Sequence, residues 1–515
     1  MKIKLSTITL SLCMFFMSAL SAQAWTYDFP TLDDASVYVG RYAPIAAPSA
    51  IGADGTVYQT GRYDKMIILG NDILENIATS AYITAIDPAT QQPKWSVGLR
   101  GAARISQIIT DGSDVYVAGT FADDVIFGST DMLEQTFSGT SLSHDYVNAF
   151  VAKYSKDGVL QNVLPIYPHP NSKYTDRYTE LGSDMMVEIT AIALYGGKLY
   201  IGMEYRGGFT VKTIDKDGNL FAGDGLFFDA LCLGVLAWDS TSGNVEDVLD
   251  FKGDKEITIS NYGPFSLCLT SDEKAVHVGI FACNTNILTV NGEKTTASFD
   301  EDEYGAYLVK ISDEVTIKKI PTAISERFYV ENIIKKMQVV DGKLYIAGSI
   351  ATPLPFKDTI VPDLWTDQFA ACLDADTYET QWAAITGATK EEIPTTDGKY
   401  RKTTDAAYVL GNYVVAGSAN FMVADGGMLT PLEIGETCLA VSASGSTVAY
   451  TTKTKEGSCL TVTNPLEDAI EIPAASSAAD VEAVYSVDGV RRTAVQKGIN
   501  IVKYTDGSVK KQIGR

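Results

Sequence analysis

The chain has 515 residues, of which 46% are hydrophobic and 20% charged, and this composition excludes an intrinsically disordered protein. Its formal net charge of −23 argues against a nucleic-acid partner, because binding the phosphate backbone needs a basic surface. Beyond the N-terminal segment, no stretch approaches the roughly 18 unbroken apolar residues of a spanning helix, so we predict no transmembrane segment.

The first 24 residues have the features of a secretory signal peptide. Lys2 and Lys4 give a basic start, Ile8 to Leu20 a mainly apolar stretch, and Ala22-Gln-Ala24 a cleavage site of small residues. Cleavage changes the formal charge from −23 to −25, because it removes two lysines. We therefore expect an exported protein that passes through the periplasm to the cell surface or the extracellular space.

A short phrase recurs six times and organises the chain. A turn dipeptide precedes an alternating apolar run with a central aromatic residue, and the run ends on Gly. Asp-Gly between such runs is a strong hairpin signal, because Gly accepts the positive φ of the turn. In the fourth copy His277 replaces the aromatic residue, and we expect it to be packed and hydrogen-bonded. The copies are 54–61, 111–121, 197–202, 273–279, 341–348 and 411–417.

A second hairpin follows each copy of the phrase. In the second unit it runs from Ala149 to Ile166 around the turn at Asp157-Gly158. One four-stranded sheet cannot bury both of its faces alone, so neighbouring sheets must stack and closure into a ring removes the exposed ends. The other second hairpins run from Ala81 to Trp95, Cys232 to Val248, Ala306 to Ile317, Phe369 to Trp382 and Cys438 to Tyr450.

These patterns predict an all-β chain. We predict that residues 25–455 form a β-propeller with six blades, or with seven if residues 25–47 combine with another segment to make a further blade. We predict that residues 456–515 form a small C-terminal domain similar to a β-sandwich.

Two segments resemble known propeller repeats. Val115 to Phe121 followed by Ala149 to Gly158 resembles the repeat of bacterial secreted β-propeller proteins. Ala85 to Trp95 and Leu373 to Trp382 resemble the outer hairpin of quinoprotein-like propellers. This resemblance implies the propeller architecture only. We carry over no quinone site from it and predict no cofactor.

The C-terminal segment resembles the sorting domain of the type IX secretion system. It has Asn464-Pro465 near its start, a strand ending in a turn from Tyr485 to Gly489, and Lys497-Gly-Ile-Asn-Ile-Val502 before a basic end. The resemblance implies the type IX secretion machinery as a partner. A small β cap without a sorting role is the alternative.

The sequence contains no recognisable catalytic motif. It has three histidines and lacks the hydrolase elbow, the zinc-binding helix motif and the nucleotide-binding glycine loops. Asp215-Lys-Asp-Gly-Asn219 resembles part of a calcium loop, but the terminal Glu is absent. We therefore predict no catalytic residue and no metal ligand, with Ca²⁺ at this turn as the alternative.

The candidate binding residues lie in the loops between second and third strands and in the links between units. In a propeller these segments open on one face, so their side chains converge. Rings that stack on sugars and carboxylates that accept hydroxyl hydrogen bonds suit glycan recognition. For each residue, the alternative is a structural role in a polar loop or at a seam between blades. The candidates are Asp123, Asp124, Tyr167, Tyr174, Tyr178, Tyr205, Asp224 and Trp365.

The favoured function is a non-catalytic binding or scaffold protein at the cell surface, with a glycan, peptide or protein as its partner. The alternative is a carbohydrate-active propeller enzyme, a glycoside hydrolase or lyase, that uses loop carboxylates. Such an enzyme needs two carboxylates about 5 to 9.5 Å apart. A purely structural role is the third hypothesis.

Overall fold

A computed structural model describes the fold. Within the residues it describes, the backbone forms strands, turns and bends, and none of it is a helix able to cross a membrane. The chain divides into a larger compact unit (26–445 and 449–461) and a smaller one (1–25, 446–448 and 462–515). The described residues are 24–30, 48–63, 65–76, 80–128, 134–138, 148–168, 187–205, 209–211, 221–222, 232–253, 266–283, 286–290, 293–294, 304–322, 333–350, 352–356, 359–361, 367–385, 392–395, 398–401, 406–410, 413–417, 420–425, 428–433, 438–444, 447–453, 457–463, 481–486, 491–492, 498–504 and 509–514.

The first and second sheets share one long strand. The first half of this strand, β7, is the outer strand of the first sheet, and its second half is the inner strand of the second sheet. The first sheet contains β2 (Ser49–Ile51), β3 (Val57–Tyr63), β6 (Ser80–Asp87) and β7 (Gln92–Thr110), with the separate hairpin β4 (Met66–Leu69) and β5 (Asp72–Glu75) between β3 and β6. The second sheet adds β8 (Asp114–Phe127), β10 (Asn148–Ser155) and β11 (Leu160–Pro168), flanked by β9 (Gln135–Ser138), β14 (Phe209–Val211) and β15 (Phe221–Ala222).

Three further sheets have the same antiparallel order from the inner to the outer strand. The third has β12 (Val187–Tyr195), β13 (Lys198–Tyr205), β16 (Cys232–Trp238) and β17 (Val245–Gly253), extended by β20 (Asn286–Val290) and β21 (Glu293–Lys294). The fourth has β18 (Ser266–Ser271), β19 (Val276–Cys283), β22 (Tyr304–Ile311) and β23 (Val315–Thr322). The fifth has β24 (Ile333–Val340), β25 (Lys343–Ile350), β26 (Asp367–Asp374) and β27 (Thr380–Ile385).

The last part of the larger unit differs from the sequence-based assignment. The hairpin from Cys438 to Tyr450 was expected to complete the sixth unit, but it begins another sheet that also takes in the N-terminal strand. After the small hairpin β28 (Glu392–Thr395) and β29 (Gly398–Arg401), one sheet has β30 (Ala406–Leu410), β31 (Tyr413–Gly417), β32 (Asn420–Asp425) and β33 (Met428–Glu433). The next has β34 (Cys438–Ser444), β35 (Thr447–Lys453), β36 (Gly457–Thr463) and β1 (Trp25–Pro30).

The predicted hairpins of the recurring phrase are confirmed. Each copy supplies the second strand of a sheet, and the turn glycines Gly55 and Gly112 have φ of 81° and 89°. In two copies the closing Gly allows the next sheet to approach. A Cβ on Gly202 would lie 2.2 Å from Leu267 Cδ2, and one on Gly279 would lie 2.5 Å from Met337 Sδ. Because Leu267 and Met337 belong to inner strands of the following sheets, glycine at these two positions makes room for sheet stacking.

Strand alternation divides each sheet between two cores. Val115 and Val117 of β8 join a cluster with the first sheet, whereas Tyr116 and Ala118 join a cluster with the third. Both faces of the sheet are therefore buried, as stacking requires.

The inner strands follow one another in a cycle. Strand β2 packs near β7, β7 near β12, β12 near β18, β18 near β24, β24 near β30, β30 near β34, and β34 again near β2. Antiparallel four-stranded sheets stacked around such a cycle define a β-propeller, so the predicted fold class is confirmed.

The described residues between 481 and 514, which belong to the smaller unit, form one antiparallel sheet. Its strand order is β38 (Arg491–Arg492), β37 (Val481–Ser486), β39 (Gly498–Tyr504) and β40 (Val509–Gly514). Ala483, Val484 and Val502 are buried in it. The predicted domain limits at residues 455 and 456 stay predictions.

Candidate functional site

The site begins where the chain passes from the first sheet to the second. Gly101 lies at this link and pairs with Val125, whereas the next residue, Ala102, pairs with Ala122. Asp123 and Asp124 are therefore extra residues in β8 and form a β-bulge. Because Gly101 pairs with Val125, the link and the end of β8 lie side by side.

Backbone geometry fixes this bulge. Asp123 has φ of 53°, and Gly101 has φ of 113°. A Cβ on Gly101 would lie 2.2 Å from the carbonyl oxygen of Asp124, so only glycine fits there. The carboxylates of Asp123 and Asp124 are both exposed. The bulge thus presents two adjacent negative charges to solvent.

An asparagine attaches the neighbouring hairpin to the link. Asn76 Nδ2 donates to the Gly101 carbonyl at 3.1 Å, and the Gly101 amide donates to Asn76 Oδ1 at 3.0 Å. Beside the bulge, β9 pairs with the end of β8, and Arg100 forms an ion pair with Glu134. These contacts hold the end of β5 close to the acidic bulge.

The β4–β5 hairpin exposes an apolar surface. Ile68 pairs with Ile73, and their exposed fractions are 54% and 61%. Met66 lies on the same face of the hairpin and is 57% exposed. The opposite face is anchored by Ile67 and Leu69, which are buried. Three large apolar side chains of this hairpin therefore face solvent. We call the exposed residues Met66, Ile68, Ile73, Asp123 and Asp124 the bulge–hairpin surface.

Two of the predicted binding residues are buried in strands. Tyr167 lies in β11, where its ring contacts Phe121 edge to face at a centroid distance of 6.1 Å. Tyr205 ends β13, and its hydroxyl donates to Asp250 Oδ1 at 3.0 Å. Burial raises the pKa of the Tyr167 hydroxyl. Neither ring offers an exposed stacking surface.

The other four predicted binding residues lie outside the described residues. They are Tyr174, Tyr178, Asp224 and Trp365. The turn at Asp215 to Asn219, the proposed alternative Ca²⁺ site, also lies outside them. Among the described residues, no group of three or more His, Cys, Asp or Glu side chains could hold a metal ion.

Sequence reasoning missed a charged pair on the inner strands. Arg104 of the second sheet is 9% exposed, and its Nη2 lies 4.0 Å from Glu188 Oε1 of the third sheet. Burial raises the pKa of the Glu188 carboxyl, and the Arg104 charge partly opposes this rise. Both residues are charged positions next to buried apolar ones, Ala103 and Ile105 beside Arg104 and Val187 and Ile189 beside Glu188. A charge at such a position is the sequence signal that could have identified them.

Side-chain amides and hydroxyls continue this contact between the second and third sheets. Gln107 Nε2 donates to the Thr190 carbonyl at 2.8 Å, and Ser106 Oγ donates to the Ile189 carbonyl at 3.2 Å. Glu188 also lies directly opposite Glu204 in the β12–β13 pair. Directly opposite residues of an antiparallel pair have Cβ atoms about 4.5–5.5 Å apart, so the two glutamates share one face of the sheet.

The fold and this face define a β-propeller with a carboxylate-bearing loop surface. No protein-family model matches the chain, and no curated protein matches it. Among solved structures, the chain is similar to BamB from Moraxella catarrhalis, with 11% identity, a TM-score of 0.33, and coverage of 86% of this chain and 98% of that one. It is also similar to apo AztD from Citrobacter koseri, with 9% identity, a TM-score of 0.33, and coverage of 84% and 91%. The Dos1 propeller shares 8% identity, with a TM-score of 0.36 and coverage of 82% and 93%. At such identities the likeness concerns the fold alone.

Proposed function

We propose that this chain is an exported, non-catalytic binding protein whose propeller presents the bulge–hairpin surface to a protein or peptide partner. One observation carries the proposal: two carboxylates on a fixed bulge, and three large apolar side chains on the hairpin that Asn76 attaches to the same link, are all exposed. Exposed apolar groups rimmed by charge are typical of protein interaction sites.

The exposed side chains favour a polypeptide over a glycan. Sugar recognition relies on aromatic rings open to solvent. The predicted rings that the structure describes, Tyr167 and Tyr205, are buried. Met66, Ile68 and Ile73 are aliphatic and suit apolar side chains of a partner. Asp123 and Asp124 suit its lysines or arginines, so we infer a partner with basic and apolar residues.

Fluorescence anisotropy with defined peptides tests this proposal. The probe is a labelled octapeptide of alternating Lys and Leu, and the reference probe alternates Gln and Leu. We expect the purified chain to bind the Lys-containing peptide more tightly at low salt. Asp123→Asn with Asp124→Asn, or Ile68→Thr with Ile73→Thr, should weaken that binding at least tenfold.

Matched substitutions elsewhere provide the controls. Asp313→Asn removes an exposed charge, and Val361→Thr changes an aliphatic residue that is 56% exposed. Neither should alter peptide binding. Equal weakening by the controls, or no binding by the unaltered chain, would refute the proposal. Retention of sugars on a glycan array that depends on Asp123 and Asp124 would instead favour a glycan ligand.

The enzyme hypothesis has one supporting observation, the Glu188–Glu204 pair. A raised pKa on one of two neighbouring carboxyls is typical of glycosidase acid–base pairs. Assaying oligosaccharides for new reducing ends or for unsaturated products decides this point. Turnover that Glu188→Gln abolishes, while Asp313→Asn leaves it intact, would replace the binding function with a hydrolase or lyase.

We also propose export by the N-terminal signal and surface delivery by the C-terminal segment. The order of motifs between Asn464 and Val502 supports this route. Deleting residues 464–515, which keeps β36 of the propeller, should leave the protein in the periplasm. Normal surface display of the truncated chain would contradict the sorting role without affecting the binding proposal.

We propose further that the propeller has seven blades and that β1 closes the ring. The position of β1 beside β36, and of β34 between β30 and β2, supports this number. Deleting residues 26–30 should then lower the thermal unfolding temperature sharply, because it leaves β36 as an open edge. An unchanged unfolding temperature would contradict the role of β1 in closing the ring.

A further inference from the structure

Charge is distributed unevenly along the chain. Residues 481–515 contain seven basic and three acidic residues, which gives a net charge of +4. Residues 25–480 carry a net charge of −29. The C-terminal segment therefore has the opposite sign to the rest of the mature protein, and a purely solubilising surface gives no reason for this reversal.

Strand register places the basic residues on the outer strands of the small sheet. One row of paired residues runs Arg492, Val484, Val502, Lys510, and the next runs Arg491, Tyr485, Ile501, Lys511. Each row has apolar or aromatic residues at its centre and a basic residue at each end. Arg491 and Arg492 are exposed.

The two outer strands differ in length. β38 has two residues, whereas β40 has six. Within the described part of the smaller unit, β40 pairs with β39 on one side and with no strand on the other. An open strand of this length offers backbone amides and carbonyls to a further strand.

We propose that β40 receives an additional strand from an acidic segment of a partner protein. Backbone hydrogen bonds to β40 would supply affinity, and the basic residues Lys510 and Lys511 would select acidic side chains. The charge reversal along the chain carries this choice of partner. The interaction is separate from the bulge–hairpin surface. It concerns the segment to which we assign surface delivery and deepens that assignment, and because peptide binding is measured on the purified chain, its failure is distinct from a failure of surface display.

Edge lysines also have a simpler role, because they discourage unwanted strand pairing. The two explanations predict different results for the binding of an acidic peptide. If the lysines only protect the edge, no acidic strand binds and their neutralisation creates no binding defect. If they select a partner, an acidic extended peptide binds and salt weakens its binding.

Titrating labelled peptides into the full chain tests the proposal. The probe alternates Glu and Val over eight residues, and the reference probe alternates Gln and Val. We expect at least tenfold tighter binding of the Glu-containing peptide in 50 mM salt than of the Gln-containing one. Raising the salt concentration to 300 mM should reduce the difference. Hydrogen exchange should show new protection of the amides of residues 509–514.

Lys510→Gln with Lys511→Gln should remove most of that preference. The matched control is Lys65→Gln with Lys94→Gln, which removes two exposed positive charges from the larger unit and should change nothing. If the double variant does not fold, the two single variants replace it, each with a partial loss.

Several results would overturn the proposal. These are equal affinity for the two peptides, no binding of either peptide, an equal loss of binding in the Lys65→Gln, Lys94→Gln control, or new hydrogen-exchange protection outside β40. Concentration-dependent self-association that competes with the peptide would identify the acidic surface of a second copy as the occupant. That result would also reject a partner strand.

Discussion

Two junctions between neighbouring sheets use the same arrangement with different chemistry. At both, a side chain of one sheet reaches the turn between the third and fourth strands of the next. Trp95 of the first sheet donates its Nε1–H to the carbonyl of Lys156 in the second sheet at 2.8 Å. His277 of the fourth sheet shares a hydrogen bond of 2.9 Å, through Nδ1, with the Tyr378 hydroxyl of the fifth sheet.

At the second junction the hydrogen bond itself joins two titratable side chains, whereas at the first it joins an indole N–H and a backbone carbonyl. Asp272 Oδ2 lies 3.9 Å from His277 Nε2, and Lys274 and Lys310 contact Asp376 on the neighbouring turn at 3.1 and 3.4 Å. Burial is the main cause that lowers the pKa of His277, to about 4. The difference teaches that equivalent blade contacts can respond differently to pH. We call these the tryptophan junction and the histidine junction.

The largest expected effect comes from removing the tyrosine of the histidine junction. Tyr378 is fully buried and packs with Phe369, Leu373 and neighbouring residues. Tyr378→Ala should destabilise the protein by about 3–5 kcal/mol, because it leaves a cavity and takes the hydrogen-bond partner from His277. Urea unfolding at pH 7 measures this change. Tyr378→Phe, which keeps the ring, should cost only about 1 kcal/mol. Similar costs for the two substitutions would show that packing of the ring is unimportant.

The second effect is a loss of stability in acid that is specific to the histidine junction. The pKa of His277 is about 4 in the folded chain, whereas an unfolded histidine has a pKa near 6.5. Between these values the unfolded state binds the proton and the folded state does not. The stability that neutral His277 contributes is therefore fully present above pH 6.5. As pH falls towards 4, this stability is lost, by roughly 3 kcal/mol.

Comparison with His277→Gln isolates this contribution from that of the carboxylates. Unfolding free energies of both chains are measured between pH 4 and 7. The unaltered chain should lose stability more steeply below pH 6.5 than the variant. Identical slopes would show that His277 does not control the acid response.

A smaller effect is expected at the tryptophan junction. Trp95→Phe keeps most of the apolar contact with Tyr58 but removes the donor to Lys156. The loss should be about 1 kcal/mol, and it should be the same at pH 5 and pH 7, because no group at this hydrogen bond titrates between them. A loss that varies with pH over this range would remove the distinction between the junctions.

Local sequence patterns were sufficient to predict the hairpins and the buried, hydrogen-bonded state of His277. Asp-Gly turns define a hairpin within a dozen residues, and the expectation that His277 is packed and hydrogen-bonded is confirmed. The sheet that includes β1 could not be predicted in the same way, because its N-terminal strand pairs with β36, more than 400 residues later. No local pattern records such a pairing.

The candidate site was less predictable for a related reason. Tyr205 follows Ile201 and Met203 at every second position of β13, so strand alternation could have placed it in the core. The bulge at Asp123 and Asp124 depends on the partner strand at Gly101, and the Arg104–Glu188 pair joins two different sheets. Residue type alone does not identify contacts of this kind.

The smallest expected effect is at the exposed edge of the histidine junction. The side chains of Lys274 and Asp376 are 66% and 56% exposed, so solvent and salt screen their attraction. Lys274→Ala should leave the thermal unfolding temperature unchanged within error, at low salt and at 0.5 M salt. The Lys310 ammonium remains close to Asp376 and provides a second positive charge there. A clear destabilisation by Lys274→Ala would mean that surface ion pairs, rather than the buried His277–Tyr378 contact, hold this junction together.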